Sequence, residues 1–299
     1  MISDIMKRKI RIAGVVALAV CSATPQVLAQ SLHHFEPGFN LFSKQQDVQL
    51  GQESAAQVRK QMTVIKDPVL TDYVNRVGKR LVATREAQES GFPFTFEVVA
   101  DPSINAFALP GGPMFINTGL LRAVDNEAQL AGVMGHEMSH VILRHGTNQA
   151  SKANLIQIPA ALAAQAAGKG SMTGQLAQLG IGLGANSVLL KFSRSAESQA
   201  DLTGSHIMSE AGYDPMEMAR FFEKLGAQGG SANGSISQFF SDHPNPGNRE
   251  QAIATEARLL PQKTYGYQTG EFSRMKAAVA KIKEPKPKQA TQSAQQGQQ

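Results

Sequence analysis

The 299-residue chain has one cysteine and no tryptophan, and aromatic residues make up only 6% of it. The single thiol, Cys21, lies within the first 29 residues. The rest of the chain therefore holds no disulfide framework, no cysteine-rich metal site and no cysteine nucleophile. Any chemistry there must come from oxygen and nitrogen side chains. A real charge excess is missing too, despite a formal net charge of +5. The first 29 residues hold four basic side chains and one acid, and the stretch from Lys276 onward holds five lysines and Glu284. Residues 30–275 are left with 20 basic against 22 acidic side chains. A nearly neutral body gives no phosphate-tracking surface, so nucleic acid is not expected as a partner. No repeat of 20–50 residues and no G-x-S-x-G elbow occurs. The glycine-rich run from Gly180 to Ala185 follows no strand pattern, so it is not a dinucleotide fingerprint.

What is present begins with an address. Lys7, Arg8, Lys9 and Arg11 precede the 13 uncharged residues Ile12 to Thr24, and Val27, Leu28 and Ala29 supply a cleavage site. This reads as a signal peptide over residues 1–29, too short in its apolar part to span a bilayer. Export to the periplasm is expected, with no transmembrane span in the mature chain. Lipid anchoring through Cys21 is the lesser alternative, because Val20 stands where a lipoprotein signal has a small residue. The Lys/Pro/Gln-rich residues 283–299 read as a disordered tail, which leaves 30–282 as the folded domain.

Apolar spacing predicts helices over Ser43–Met62 and Pro68–Ala87, and strands over 94–100, 105–109 and 114–117, the last two joined by a turn at Pro110–Pro113. Asn126 with Gln129 opens a helix expected to run to His145 and stop at Gly146. Ala153–Gly184, rich in Ala, Gly and Gln, reads as a loose helical or lid-like segment. Further helices are expected over about 195–211 and 216–225.

The chemistry is concentrated in His136-Glu137-Met138-Ser139-His140. Residues four apart share a helix face, so both imidazoles can point at one cation, with Glu137 placed to take a proton from a water there. The helix is apolar nearly all round, and buried imidazoles and a carboxylate are costly unless a cation satisfies them. A third histidine six residues after His140 would complete one kind of zinc site, but that position is Gly146. The alternative is a glutamate from a second helix, and Glu197 offers it, with Asp201 one turn later to accept a ligand histidine's free N–H. His145, half a turn round from His136, is not expected at the same metal. His206 reads as an ordinary core or surface residue, and His33 and His34 as adventitious metal binders.

Several stretches in order carry a resemblance: Asn105 to Gly112, Gly135 to Gly146, Phe192 to Arg194 with Glu197 and Asp201, Gly212 to Pro215, and Asp242 to Pro244 with Arg249. Together the chain resembles the Ste-type and HtpX-like family of zinc metallopeptidases, the gluzincins with HExxH plus ExxxD, and is closest in type to small periplasmic members. The resemblance implies an α+β, zincin-like fold, mostly helical with a small sheet beside the active-site helix. It implies one Zn2+ per chain on His136, His140 and Glu197, and Glu137 as general base. It implies Asp201 and Arg249 as supports, and Asn105, Ala106, Phe107, Ala108 and Leu109 as a strand along which peptide substrates pair. His243 is similar to a family histidine at the metal, as either a latent-state ligand or a transition-state donor. The expected function is a zinc-dependent endopeptidase of the cell envelope acting on misfolded or misassembled proteins. The alternative is a chaperone-like peptide binder with structural or latent zinc.

Overall fold

A computed structural model describes residues 32–152, 192–228, 243–244, 247–266 and 270–283. The signal-peptide reading, the 153–184 segment and nearly all of the tail lie outside these residues. Helix α1 (Lys44–Gln61) starts at Ser43, whose hydroxyl and Gln46 form a reciprocal capping box. Helix α2 (Pro68–Val82) starts on the Asp67 carboxylate, which accepts the N–H groups of Val69 and Leu70, with proline where no donor is needed. The single helix expected to Ala87 divides instead. Thr84 is extended and turns its hydroxyl onto the Leu81 carbonyl, and α3 (Arg85–Ser90) resumes before Gly91 closes it at φ 70.

Three strands, β1 (Thr95–Val99), β2 (Ala106–Ala108) and β3 (Pro113–Asn117), form a sheet in the order β1-β3-β2. β1 runs parallel to β3, and β2 pairs antiparallel with it, with Phe107 opposite Phe115. β2 is therefore an edge. The turn between β2 and β3 carries Gly111 and Gly112 at positive φ. Gly111 lies against the backbone of Val48 in α1, where a side chain would clash. A short helix, α4 (Thr118–Ala123), comes directly after β3.

The central element is α5 (Glu127–Ile142), buried almost throughout. Asn126 caps it by accepting from Gln129, whose own side chain bonds Asp125 instead of closing the box. α5 ends three residues earlier than the sequence predicts. Arg144 turns to φ 55, and residues 145–152 are helical again with Gly146 inside. α6 (Arg194–Glu210), capped by Ser193, packs along α5. α7 (Met216–Gln228), α8 (Arg249–Leu259) and α9 (Glu271–Val279) complete the described elements. The core joins Leu70, Val77 and Leu81 of α2 to Met114 and Ile116 of β3, Leu130 and Met138 of α5, and Ile207 and Met208 of α6. Among the described residues no helix is long and apolar enough to cross a membrane.

His206 is a buried core residue, as its sequence reading has it, and it shares an acidic partner with His33. His33 donates its backbone N–H to Glu256 and lies 2.6 Å from the same carboxylate through Nδ1, while His206 Nε2 lies 2.7 Å from a carboxylate oxygen of the same residue. This polar knot ties the N-terminal stretch and α6 to α8.

α5 and α6 meet at two glycines. A Cβ on Gly204 would stand 3.1 Å from the His136 nitrogen and 3.2 Å from the Gly135 carbonyl carbon. Gly204→Val is expected to overpack this crossing and cost roughly 1–3 kcal/mol in urea unfolding. Gly226→Ala, in α7 with nothing within 4 Å of the added Cβ, should instead stabilise by about 0.5–1 kcal/mol. Equal shifts from both would refute the close-crossing account.

Candidate metal centre

His136 and His140 occupy one face of α5, and Glu197 and Asp201, again one turn apart, face them from α6. Each pair's spacing puts two functional groups on the same side, and the glycine crossing brings the two sides together. His136 Nε2 lies 3.1 Å from His140 Nε2 and 3.3 Å from Glu197 Oε2, and His140 Nε2 lies 3.4 Å from Glu197 Oε1. His136 Nδ1 donates to Asp201 Oδ1 at 2.9 Å, which leaves Nε2 as the atom facing inward. His243 joins them, with Nδ1 3.3 Å from His136 Nε2 and 3.2 Å from Glu197 Oε1. All four side chains are buried, and their ligand atoms lie within 4.8 Å of one another. A tetrahedron with bonds of about 2.0–2.1 Å has edges of about 3.3–3.4 Å, so these separations suit a zinc-sized cation.

The electrostatics point the same way. Burial opposes a charge on His136, yet Asp201 and Glu197 outweigh it and raise its pKa to about 9. For His140 burial dominates and holds the pKa well below the usual histidine value. Burial alone would raise Glu197, but His136, His140 and His243 bring it far below the ordinary carboxylate range. A carboxylate so firmly ionised among imidazoles is what a cation needs.

Glu137 stands beside this cluster and outside it. Its Oε2 accepts the Ala108 N–H at 3.2 Å. Its Oε1 is buried, 3.2 Å from His243 Nε2 but without the alignment of a hydrogen bond, so it has no hydrogen-bond partner. Burial raises its pKa. A buried carboxylate oxygen without a hydrogen-bond partner is uncommon in a folded protein.

Arg249, the first residue of α8, bonds both acids of α6: Nε to Asp201 Oδ2 at 2.6 Å and Nη2 to Glu197 Oε2 at 2.9 Å. Its guanidinium lies 4.0 Å from the Phe222 ring centroid. Phe192 stacks on His140 at 3.9 Å, and Phe222 meets His136 edge-on.

The predicted substrate strand is shorter than 105–109. The ladder directs the Asn105 carbonyl and Leu109 N–H into β3, and the backbone groups of Ala106 and Ala108 toward the outer edge. The Phe107 and Leu109 side chains pack in a core of their own with Phe115 and Val99, away from the metal centre. Beside His140 a cleft of about 290 Å³, mouth included, lies among Ala108, Pro110, Arg144, Thr147 and Phe192. His145 is not among the possible ligands but lies behind one of them, with Nδ1 3.0 Å from His140 Nδ1 and Nε2 3.0 Å from Gln199 Oε1. It is 8% exposed, and burial pushes its pKa down to about 4. Sequence reasoning gives Phe192, Phe222, His145 and Gln199 no role at the site: the first three lie outside the two helices that carry the paired ligands, and Gln199, two residues from Glu197, falls off the face that the spacing of four selects.

Two histidines and a glutamate on crossing helices, with a second buried glutamate beside them, define a zincin-like site of the gluzincin type. The chain belongs to peptidase family M48, whose profile matches residues 68–257. It is 36% identical over 190 residues to the beta-barrel assembly-enhancing protease of Escherichia coli K12, covering 60% of this chain and 37% of that protein. The protein of the same name in Yersinia pestis is 31% identical over 242 residues, 77% of this chain and 48% of the relative. The mitochondrial metalloendopeptidase OMA1 of Schizosaccharomyces pombe is 34% identical over 183 residues, 61% of this chain and 52% of the relative. The chain thus spans about half the length of these relatives, or less.

Arg249→Met is expected to destabilise the metal-free protein by roughly 3–5 kcal/mol in urea unfolding, because two buried carboxylates lose their counter-charge. An unchanged midpoint would show that they do not depend on the arginine.

Proposed function

We propose that this chain is a zinc-dependent endopeptidase of the cell envelope. The observation that carries the reading is Glu137, a buried carboxylate beside a set of imidazole and carboxylate donors, with one oxygen that accepts no hydrogen bond. A purely structural site has no use for an uncoordinated base. Membership of a peptidase family, and relatives named as proteases and metalloendopeptidases, support the same activity.

His136, His140 and Glu197 hold the zinc, and Asp201 fixes His136 through its Nδ1–H. When bound, the ion polarises a peptide carbonyl and lowers the pKa of a water to about 7. Glu137 Oε1 takes the proton from the attacking water and hands it to the departing amine. The substrate lies along β2, pairing with the outward backbone groups of Ala106 and Ala108, and a side chain enters the cleft beside His140. The substrates are misfolded or misassembled envelope proteins, and the compartment is the periplasm, in keeping with the basic-then-apolar N-terminus.

The second reading is a chaperone-like binder with closed, non-catalytic zinc. Its support is His243, which supplies a fourth ligand atom where a catalytic site keeps an open position. We reconcile the two by giving His243 both duties: it plugs the resting site, then donates to the carbonyl oxygen once peptide displaces it.

The purified protein is expected to bind one zinc and to digest casein, with chelator abolishing digestion. Glu137→Gln should remove activity and leave zinc in place. Glu197→Ala should release the metal, while Asp201→Ala weakens it about 10–100-fold. Loss of metal together with activity in Glu137→Gln would overturn its assignment as base.

For His243→Ala two readouts separate the duties. Chelator should strip zinc faster, and peptide hydrolysis should fall by about 10²–10³, the usual cost of losing such a donor. Faster hydrolysis would make His243 a plug alone, and no change in either readout would refute both duties.

A further inference from the structure

In a continuous helix, residues five apart lie about 140° from each other around the axis, so His145 would turn away from His140. It does not, because the chain breaks between them. α5 ends at Ile142, and Arg144 takes up φ 55, a left-handed conformation that costs a residue with a Cβ. Two contacts hold it there: Nε to Asp47 Oδ2 at 2.6 Å and Nη2 to the Phe42 carbonyl at 2.5 Å. The break swings the next helical stretch round, so that His145 Nδ1 comes to 3.0 Å from His140 Nδ1. Its other nitrogen lies 3.0 Å from Gln199 Oε1, two residues beyond Glu197 on α6.

Two facing imidazole nitrogens can share only one proton, and the chain of contacts has only two polarities. In one, His145 Nε2–H donates to Gln199 Oε1, His145 Nδ1 accepts from His140 Nδ1–H, and the His140 Nε2 lone pair faces Glu197 and His136. In the other, the Gln199 amide donates, every proton shifts along, and His140 points an N–H into the cluster. Only the first permits ligation.

We propose that Gln199 and His145 form a tautomer relay that aims the His140 Nε2 lone pair into the metal centre. It rests on the reading of His140 as a ligand. His136 has a different arrangement, with the Asp201 carboxylate directly behind it. The difference has an electrostatic reason. Glu137, Glu197 and Asp201 bring three negative charges, which Arg249 and a divalent cation balance. A second carboxylate behind His140 would leave a buried site with a net negative charge, whereas a histidine and an amide fix the tautomer without adding any. His145 and Gln199 are positioning residues: they act on the metal only through His140.

The test uses the full zinc-loaded chain, with long-range 15N–1H NMR to read imidazole tautomers and chelator competition to read zinc affinity. The wild type should show His140 protonated at Nδ1 and His145 at Nε2. His145→Leu should weaken zinc about 10–100-fold. His145→Asn puts an amide oxygen where Nδ1 stood, and should recover most of that loss. Gln199→Lys, a donor only, should weaken zinc in the wild-type background and have no further effect combined with His145→Asn, whose shorter side chain does not reach position 199. If Gln199→Lys weakens zinc equally in both backgrounds, its charge is the cause and the relay is refuted. A zinc-loaded wild type with His145 protonated at Nδ1, or equal losses in His145→Leu and His145→Asn, would also refute it. A wild type that takes up no zinc would instead overturn the assignment of His140 as a ligand.

Discussion

The arrangement depends on keeping charged groups stable inside a dry interface between two helices. Glu197 and Asp201 are each at most 1% exposed, as is His136, and Glu137 is 2% exposed. Burying an uncompensated carboxylate is costly enough that it would rather take up a proton. Here the compensation is divided. Arg249 bonds both acids of α6, the imidazoles face Glu197 from three sides, and Asp201 takes the outer N–H of His136. Because the compensation spans α5, α6 and α8, the positions of all three helices are part of the site. The glycine crossing at Gly135 and Gly204 is what lets the helices come close enough for it.

Much of this is legible in the sequence because helical periodicity is a local property. A spacing of four places His136 with His140 and Glu197 with Asp201 whatever the rest of the chain does, and each pair does share one helix face. The Asn126 cap is local as well, and it forms as read, with the Gln129 N–H donating to the Asn126 side chain. What cannot be read depends on contacts distant in sequence. The end of α5 is set by Asp47 and Phe42, about a hundred residues earlier, which hold Arg144 in a conformation that its own sequence does not favour. His145 stands outside the group of possible ligands, as its spacing suggests, but its contact with His140 could not be read because it depends on the same break in the helix. α8 and α9 escape sequence reading because they are short and their apolar faces are thin, a few residues such as Ile253, Met275 and Val279 doing the packing.

The edge strand shows how backbone polarity alternates within one short motif. Residues 105–109 all fall at the edge of the sheet, but only alternate residues offer backbone groups outward. Ala106 and Ala108 have small side chains, which lets another chain approach that edge. The Ala108 N–H is bonded to Glu137 Oε2, so β2 and Glu137 are mechanically linked. A chain pairing with β2 would compete for that N–H and release the carboxylate oxygen.

His136, His140 and Glu197 are carried on long, buried helices, whereas His243 precedes α8 and belongs to no described element. Ligands on packed helices cannot leave without disrupting a core, but a ligand outside one can be exchanged at the cost of its own contacts. Arg249, only six residues on, remains fixed to Glu197 and Asp201 at the start of α8. Loss of the His243 contacts would leave the Arg249 bonds to Glu197 and Asp201 in place. The cluster thus separates the charge balance held between packed helices from the fourth donor, which no described helix carries.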